Sequence, residues 1–154
     1  MSVETLHDFS LKDVEVIAKT FGFETEVNPG NRPGPDVVLR YGEYIVVYVE
    51  SEIGHDTGGS ERYFSKLIKR LQSRIEEDRK SSELFFLIII TNTPRRLAEA
   101  LPKFSEKFRE IEFSKGELGR DIYIVPALLY RELIPAILVR ILSTISPAGT
   151  LIAA

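Results

Sequence analysis

The chain has 154 residues, 44% of them hydrophobic and 28% charged, with a formal net charge of −3 and no cysteine. That length suits one domain spanning 1–154 with a core of its own, and the lack of cysteine excludes disulfides, thiolate nucleophiles and zinc–thiolate sites. The acidic balance excludes indiscriminate coating of nucleic acid, which needs excess Lys and Arg, so any basic surface is expected to be local.

Residues 10–21, SLKDVEVIAKTF, place Leu11, Val14, Ile17, Ala18 and Phe21 on one helical face, with Ser10 as cap and Asp13 three places on as in a capping box. Gly22 is the expected stop, residues 23–27 a short strand, and NPGNRPGPD a loop, with three prolines and two glycines in nine residues. Asp36–Arg40 and Tyr44–Glu50 read as a hairpin across YGE, followed by the loop IGHDTGGS. From Ser60 to Arg79 the period is helical, with Tyr63, Phe64, Leu67, Ile68, Leu71 and Ile75 on one broad face.

LFFLIII at 84–90 is a continuous apolar run of strand length, as in a strand covered on both faces. A helix is expected over 94–110 with Pro94 in its first turn, then a strand in DIYIVPALL. A last apolar helix is expected over 129–145, with Pro135 as a start or a kink. Alternation of strand and helix after the hairpin predicts an α/β fold, a mixed central β-sheet flanked by helices.

The opening MSVETLHDFS has acids where a signal peptide needs positive charge followed by an apolar stretch, and no apolar run reaches bilayer length. Cytoplasmic residence without membrane contact is the expectation. The C-terminal LIPAILVRILSTI is read as core or as a homodimer interface. Few Met, Asn and Gln beside abundant Glu, Lys and Arg lean towards a thermophile.

The chemistry concentrates in GPDVVLRYGEYIVVYVESE, residues 34–52. Glu50 and Glu52 close a nearly uncharged strand and, by the two-residue repeat, face the same way, so a cation or solvent must offset their repulsion. Antiparallel pairing brings Asp36 towards them. A two-residue turn sets Asp36 opposite Val47, on the wrong face, whereas a three-residue loop sets it opposite Tyr48, diagonal to Glu50; the odd-length loop is predicted. Tyr44 and Tyr48 share the parity of Glu50 and are read as packing beneath a helix. Three carboxylates at a strand end form a hard-oxygen site, suited to Mg²⁺ or Mn²⁺.

This arrangement resembles the PD-(D/E)xK, or restriction endonuclease-like, nuclease superfamily. Its motif runs Pro-Asp, hairpin, apolar strand, acid, any residue, lysine, here Pro35-Asp36, YIVVYVE to Glu50, Ser51, and Glu52 in the lysine's place. The layout around it is similar to that of archaeal Holliday junction resolvases. The resemblance implies a divalent-metal-dependent DNA endonuclease acting on duplex or branched DNA. Asp36 and Glu50 are then metal ligands, joined by Glu52 and by the Ser51 carbonyl, with an acid from the first helix, Glu15 before Asp13, assisting.

Glutamate at position 52 departs from the pattern: it can orient a water or bind metal, but it supplies no positive charge. Lys66 or Lys69 on the following helix would serve instead and contact the scissile phosphate. Arg62, Lys66 and Lys69, at i, i+4 and i+7 with Arg70 and Arg74 beside them, form the local basic stripe for DNA. His55, in the glycine-bearing loop with Asp56, is a further candidate to contact substrate. Two rival readings remain: a nuclease-fold protein without catalysis that binds nucleic acid or serves as an assembly subunit, and an unrelated α/β domain.

Overall fold

A computed structural model describes residues 3–28, 34–53, 59–79 and 84–145. The element order is α1 (Val3–Thr20), β1 (Glu24–Val27), β2 (Val37–Tyr41), β3 (Ile45–Glu52), α2 (Gly59–Asp78), β4 (Leu84–Thr91), α3 (Pro94–Ala100), α4 (Ser105–Glu110), β5 (Ile122–Pro126) and α5 (Tyr130–Leu142). The strands form one five-stranded sheet in the order β1-β2-β3-β4-β5. The first three pair antiparallel and the last three parallel, so the fold is mixed α/β as expected.

Short β-branched and aromatic runs make the strands, and strand parity divides their side chains between two cores. Val37, Leu39, Val47, Val49, Ile88 and Ile90 pack with Val14 and Ala18 of α1 and Ile134, Leu138 and Ile141 of α5. Val38, Val46, Tyr48, Leu87 and Ile89 pack on the other side with Phe64, Leu67, Leu71 and Ile75 of α2 and with Leu97 and Phe108 from α3 and α4. The sheet is therefore covered on both faces, which is why β3 from Ile45 to Val49 and β4 from Leu84 to Ile90 are continuously apolar. Among the described residues no helix is long and apolar enough to cross a membrane.

Three local expectations need correction. Helix α1 begins at Val3 rather than Ser10, so Ser10 has preceding helical turns, needs no capping role and is fully buried. The 94–110 segment is not one helix: Pro102 lies in a 3-10 turn, Leu101–Phe104, between α3 and α4. Proline has no N–H for the ladder, and its ring crowds the preceding turn. Pro135 lies inside α5, as expected, and does not start it. Tyr44, predicted to pack beneath a helix, is 54% exposed in the hairpin turn, whereas Tyr48 is fully buried.

The hairpin loop is odd-length, as predicted, but sits one residue later than expected. Tyr41 stays in the ladder opposite Ile45, leaving Gly42, Glu43 and Tyr44 as the three-residue loop, and Gly42 takes the positive φ of 55° that the reversal requires. The register is consequently shifted by two residues: Val37 faces Val49, and Asp36 meets Glu50 rather than Tyr48. Because the shift is even, Asp36 keeps the face predicted for it.

A carboxylate pair at the end of the central strand

Parallel strands β3 and β4 end side by side, with Glu52 in register with Thr91. Ligands of open α/β sheets are commonly bound beyond such carboxyl ends. There Asp36 and Glu50 bind each other's strands reciprocally. The Asp36 backbone N–H donates to Glu50 Oε2 at 2.8 Å, and the Ser51 N–H donates to Asp36 Oδ2 at 2.8 Å. Glu50 is 2% exposed. Burial, and after it the Asp36 charge, pushes its carboxyl up to about 8, against the opposing pull of Arg70 and the Asp36 N–H.

Arg70 supplies the nearest positive charge, with its guanidinium 2.7 Å from Glu50 Oε1. Helix α2 runs antiparallel to β3, and its inward flank meets the strand in reverse order. Asp78 near its end binds the Tyr48 hydroxyl, and Arg70 two turns earlier reaches Glu50. Lys66 and Lys69, the cations expected here, are exposed, and so is Arg62. Residue 70 falls between the apolar face and the solvated stripe, and only the rotation of the helix on the sheet turns it inward.

Glu52 is half-buried and accepts a hydrogen bond from Thr91 Oγ1 at 2.6 Å. Thr91 in turn accepts from the Thr93 N–H at 3.0 Å, so the end of β4 orients the Glu52 carboxylate. No sequence pattern singled out Thr91. Its signal is the register, since it is the residue facing Glu52 across a parallel pair.

The first helix contributes differently than expected. Helix α1 covers the sheet face opposite to that of Glu50, and Glu15 accepts from Thr25 Oγ1 of β1 at 3.2 Å. Asp13, read as a capping residue and second candidate acid, instead accepts hydrogen bonds from the Tyr130 hydroxyl and from Arg131 Nε at 2.9 Å, tying α1 to α5. Neither acid is brought to the Asp36–Glu50 pair by these contacts. Behind the pair, on the α1 side, Ser10 Oγ and Ser51 Oγ lie 3.4 Å apart. His55 and Asp56 fall outside the described residues.

Two hard-oxygen carboxylates side by side, one of them desolvated, have the donor chemistry of a Mg²⁺ or Mn²⁺ site. Among the described residues, however, no group of three or more His, Cys, Asp or Glu side chains is placed to hold a metal ion. Arg70 occupies Oε1 of Glu50 and the Asp36 N–H occupies Oε2. Asp36 and Glu50 thus fit a divalent cation by chemistry, on the condition that Arg70 withdraws from Glu50.

No protein-family model matches the sequence, and no curated protein or solved structure matches it.

Proposed function

We propose that the chain is a divalent-metal-dependent DNA endonuclease of the restriction endonuclease-like kind, hydrolysing phosphodiester bonds in duplex or branched DNA in the cytoplasm. The observation that carries this reading is the reciprocal Asp36–Glu50 pairing: two carboxylates from neighbouring strands, held together by backbone N–H groups despite their like charge. Keeping both ionised costs electrostatic energy, part of what pushes Glu50 up to about 8, and a bound cation would offset it.

Asp36 and Glu50 would hold Mg²⁺ or Mn²⁺, which when bound polarises a phosphoryl oxygen and lowers the pKa of a coordinated water. Glu52, steadied by Thr91, would accept a hydrogen bond from a water molecule and orient it. Arg70 provides the positive charge that Glu52 does not, moving from Glu50 to a non-bridging phosphate oxygen as substrate enters. Arg62, Lys66 and Lys69, exposed on the same helix, suit the flanking phosphates. A homodimer would present one such site to each strand of a duplex.

A second reading has its own support. The Arg70–Glu50 pair already neutralises the buried carboxylate, and together with glutamate at position 52 it favours a nuclease-fold protein that binds nucleic acid without cutting it. The two separate in a cleavage assay on labelled linear duplex, four-way junction, flap and single strand, each with Mg²⁺, Mn²⁺ or EDTA. Metal-dependent cutting that is lost in both Asp36→Ala and Glu50→Ala supports the endonuclease. A folded protein that binds these substrates and cuts none supports the second reading.

A further inference from the structure

Tyr63 lies on α2 seven residues before Arg70, two helical turns away on the same flank. The residue is partly exposed and its ring packs against Phe64 with centroids 5.8 Å apart, but its hydroxyl oxygen is buried and has no hydrogen-bond partner among the described residues. The groups whose charge acts on that hydroxyl are Glu50, Arg70, Glu52 and Asp36, the members of the strand-end site. A buried phenol oxygen without a partner is costly, and a phenylalanine would fill the same space without that cost. Orphaned polar atoms of this kind ordinarily mark the place of a bound water or ligand atom.

We infer that the Tyr63 hydroxyl positions a water molecule between α2 and the Asp36, Glu50 and Glu52 carboxylates, and that this is the water consumed in phosphodiester hydrolysis. The second part rests on the endonuclease reading. Burial and the surrounding carboxylates keep the phenol protonated, so it remains a donor throughout the neutral range. It donates to the water oxygen while the water donates to a carboxylate, which fixes the orientation of the O–H bond to be broken. In hydrolysis the water's proton passes to the carboxylate, the electron pair it leaves forms the new P–O bond, and the bridging P–O bond breaks to release an alcohol protonated by solvent. Tyr63 thereby takes the water-orienting part of the work that the missing motif lysine would do, and Arg70 takes the charge.

Tyr63→Phe removes the hydroxyl alone. The expected result is an unchanged or raised melting temperature, a kcat about ten- to a hundredfold lower and KM within about twofold of wild type. A crystal structure of the wild type is expected to hold a water within hydrogen-bond distance of both Tyr63 Oη and a site carboxylate, absent from the variant. Wild-type kcat in Tyr63→Phe overturns the inference. So does a marked loss of thermal stability, or a crystal structure in which Tyr63 Oη bonds directly to another protein group, residues 54–58 included. If the wild type cuts no substrate, the endonuclease reading fails separately. The crystallographic result then decides alone: a bridging water supports the positioning role, and a dry hydroxyl overturns it.

Discussion

Arg70 of α2 and Glu50 of β3 form an ion pair of 2.7 Å whose two ends live in different surroundings: the glutamate side chain is 2% exposed and the arginine side chain 38%. The acid bears most of the desolvation, and the arginine bridges it to solvent. This asymmetry makes Arg70 removable, by a phosphate or by mutation, at a cost that depends on whether Glu50 can take up a proton.

Arg70→Ala leaves Glu50 with the Asp36 N–H as its remaining described donor. At pH 9 the variant is expected to lose about 1–2 kcal/mol of stability, the low end for a broken ion pair because the guanidinium is partly solvated. At pH 5, where the folded protein keeps Glu50 protonated, the loss should be smaller. Urea unfolding at both values tests this, and equal losses would show that Arg70 acts through something other than the Glu50 charge. If Arg70 competes with a cation for Glu50, the same variant should also bind Mn²⁺ more tightly in calorimetry.

Glu50 itself should impose a pH dependence on folding. In the unfolded chain it ionises near 4.5 and in the folded protein near 8, so the folded state holds the proton more tightly. Its contribution is fully present below about pH 4.5 and is lost as pH rises through about 8, at close to 1.4 kcal/mol per pH unit within that window. Glu50→Gln cannot ionise. Its stability relative to wild type should therefore rise from pH 5 to pH 8, measured by denaturant midpoints, and parallel profiles for the two proteins would refute the assignment.

Asp78, 4% exposed at the end of α2, accepts hydrogen bonds from Arg40, from the Tyr48 hydroxyl and from Arg74 Nε at 3.2 Å. An acid at a helix C-terminus opposes the helix dipole, and these donors outweigh that cost. Asp78→Ala strands the buried Tyr48 hydroxyl and is expected to cost about 3–5 kcal/mol, whereas Tyr48→Phe, which leaves Asp78 its two arginines, should cost about 1 kcal/mol. A double-mutant cycle checks the coupling. Additive losses would mean that the two groups stabilise the fold independently.

Asp13 anchors α1 to α5. The Tyr130 hydroxyl, and after it Arg131, holds its carboxyl below the ordinary 3.8. A depressed carboxylate stabilises the fold above its unfolded pKa, and that contribution is lost as pH falls through the folded one. Asp13→Asn should therefore melt below wild type at pH 7, with the gap narrowing as pH falls below 3.8. A gap that persists in acid would assign the effect to packing.

The opening stretch of the hairpin illustrates how much of the site was legible in the chain. Parity was readable because side-chain direction in a strand alternates with residue number, so Asp36, Glu50 and Glu52 could be placed on one face without coordinates. The partner of Asp36 was not, because it depends on where the loop begins, and Gly42 rather than Tyr41 opens it. The pattern places Arg70 only beside the exposed stripe and Tyr63 on the apolar face, and it carries no signal for Thr91.

The sequence by itself determined the succession of strands and of helices apart from the break between α3 and α4, the two-sided burial of β3 and β4 and the meeting of Asp36 with Glu50 at a strand end, since periodicity and turn chemistry are properties of neighbouring residues. Only the tertiary structure decided that Arg70 and not Lys66 reaches Glu50, that Thr91 steadies Glu52, and that Asp13 and Glu15 are engaged elsewhere. Those outcomes depend on the rotation and sliding of α1 and α2 against the sheet. That docking is set by the summed packing of two cores and is not encoded in any local stretch of the chain.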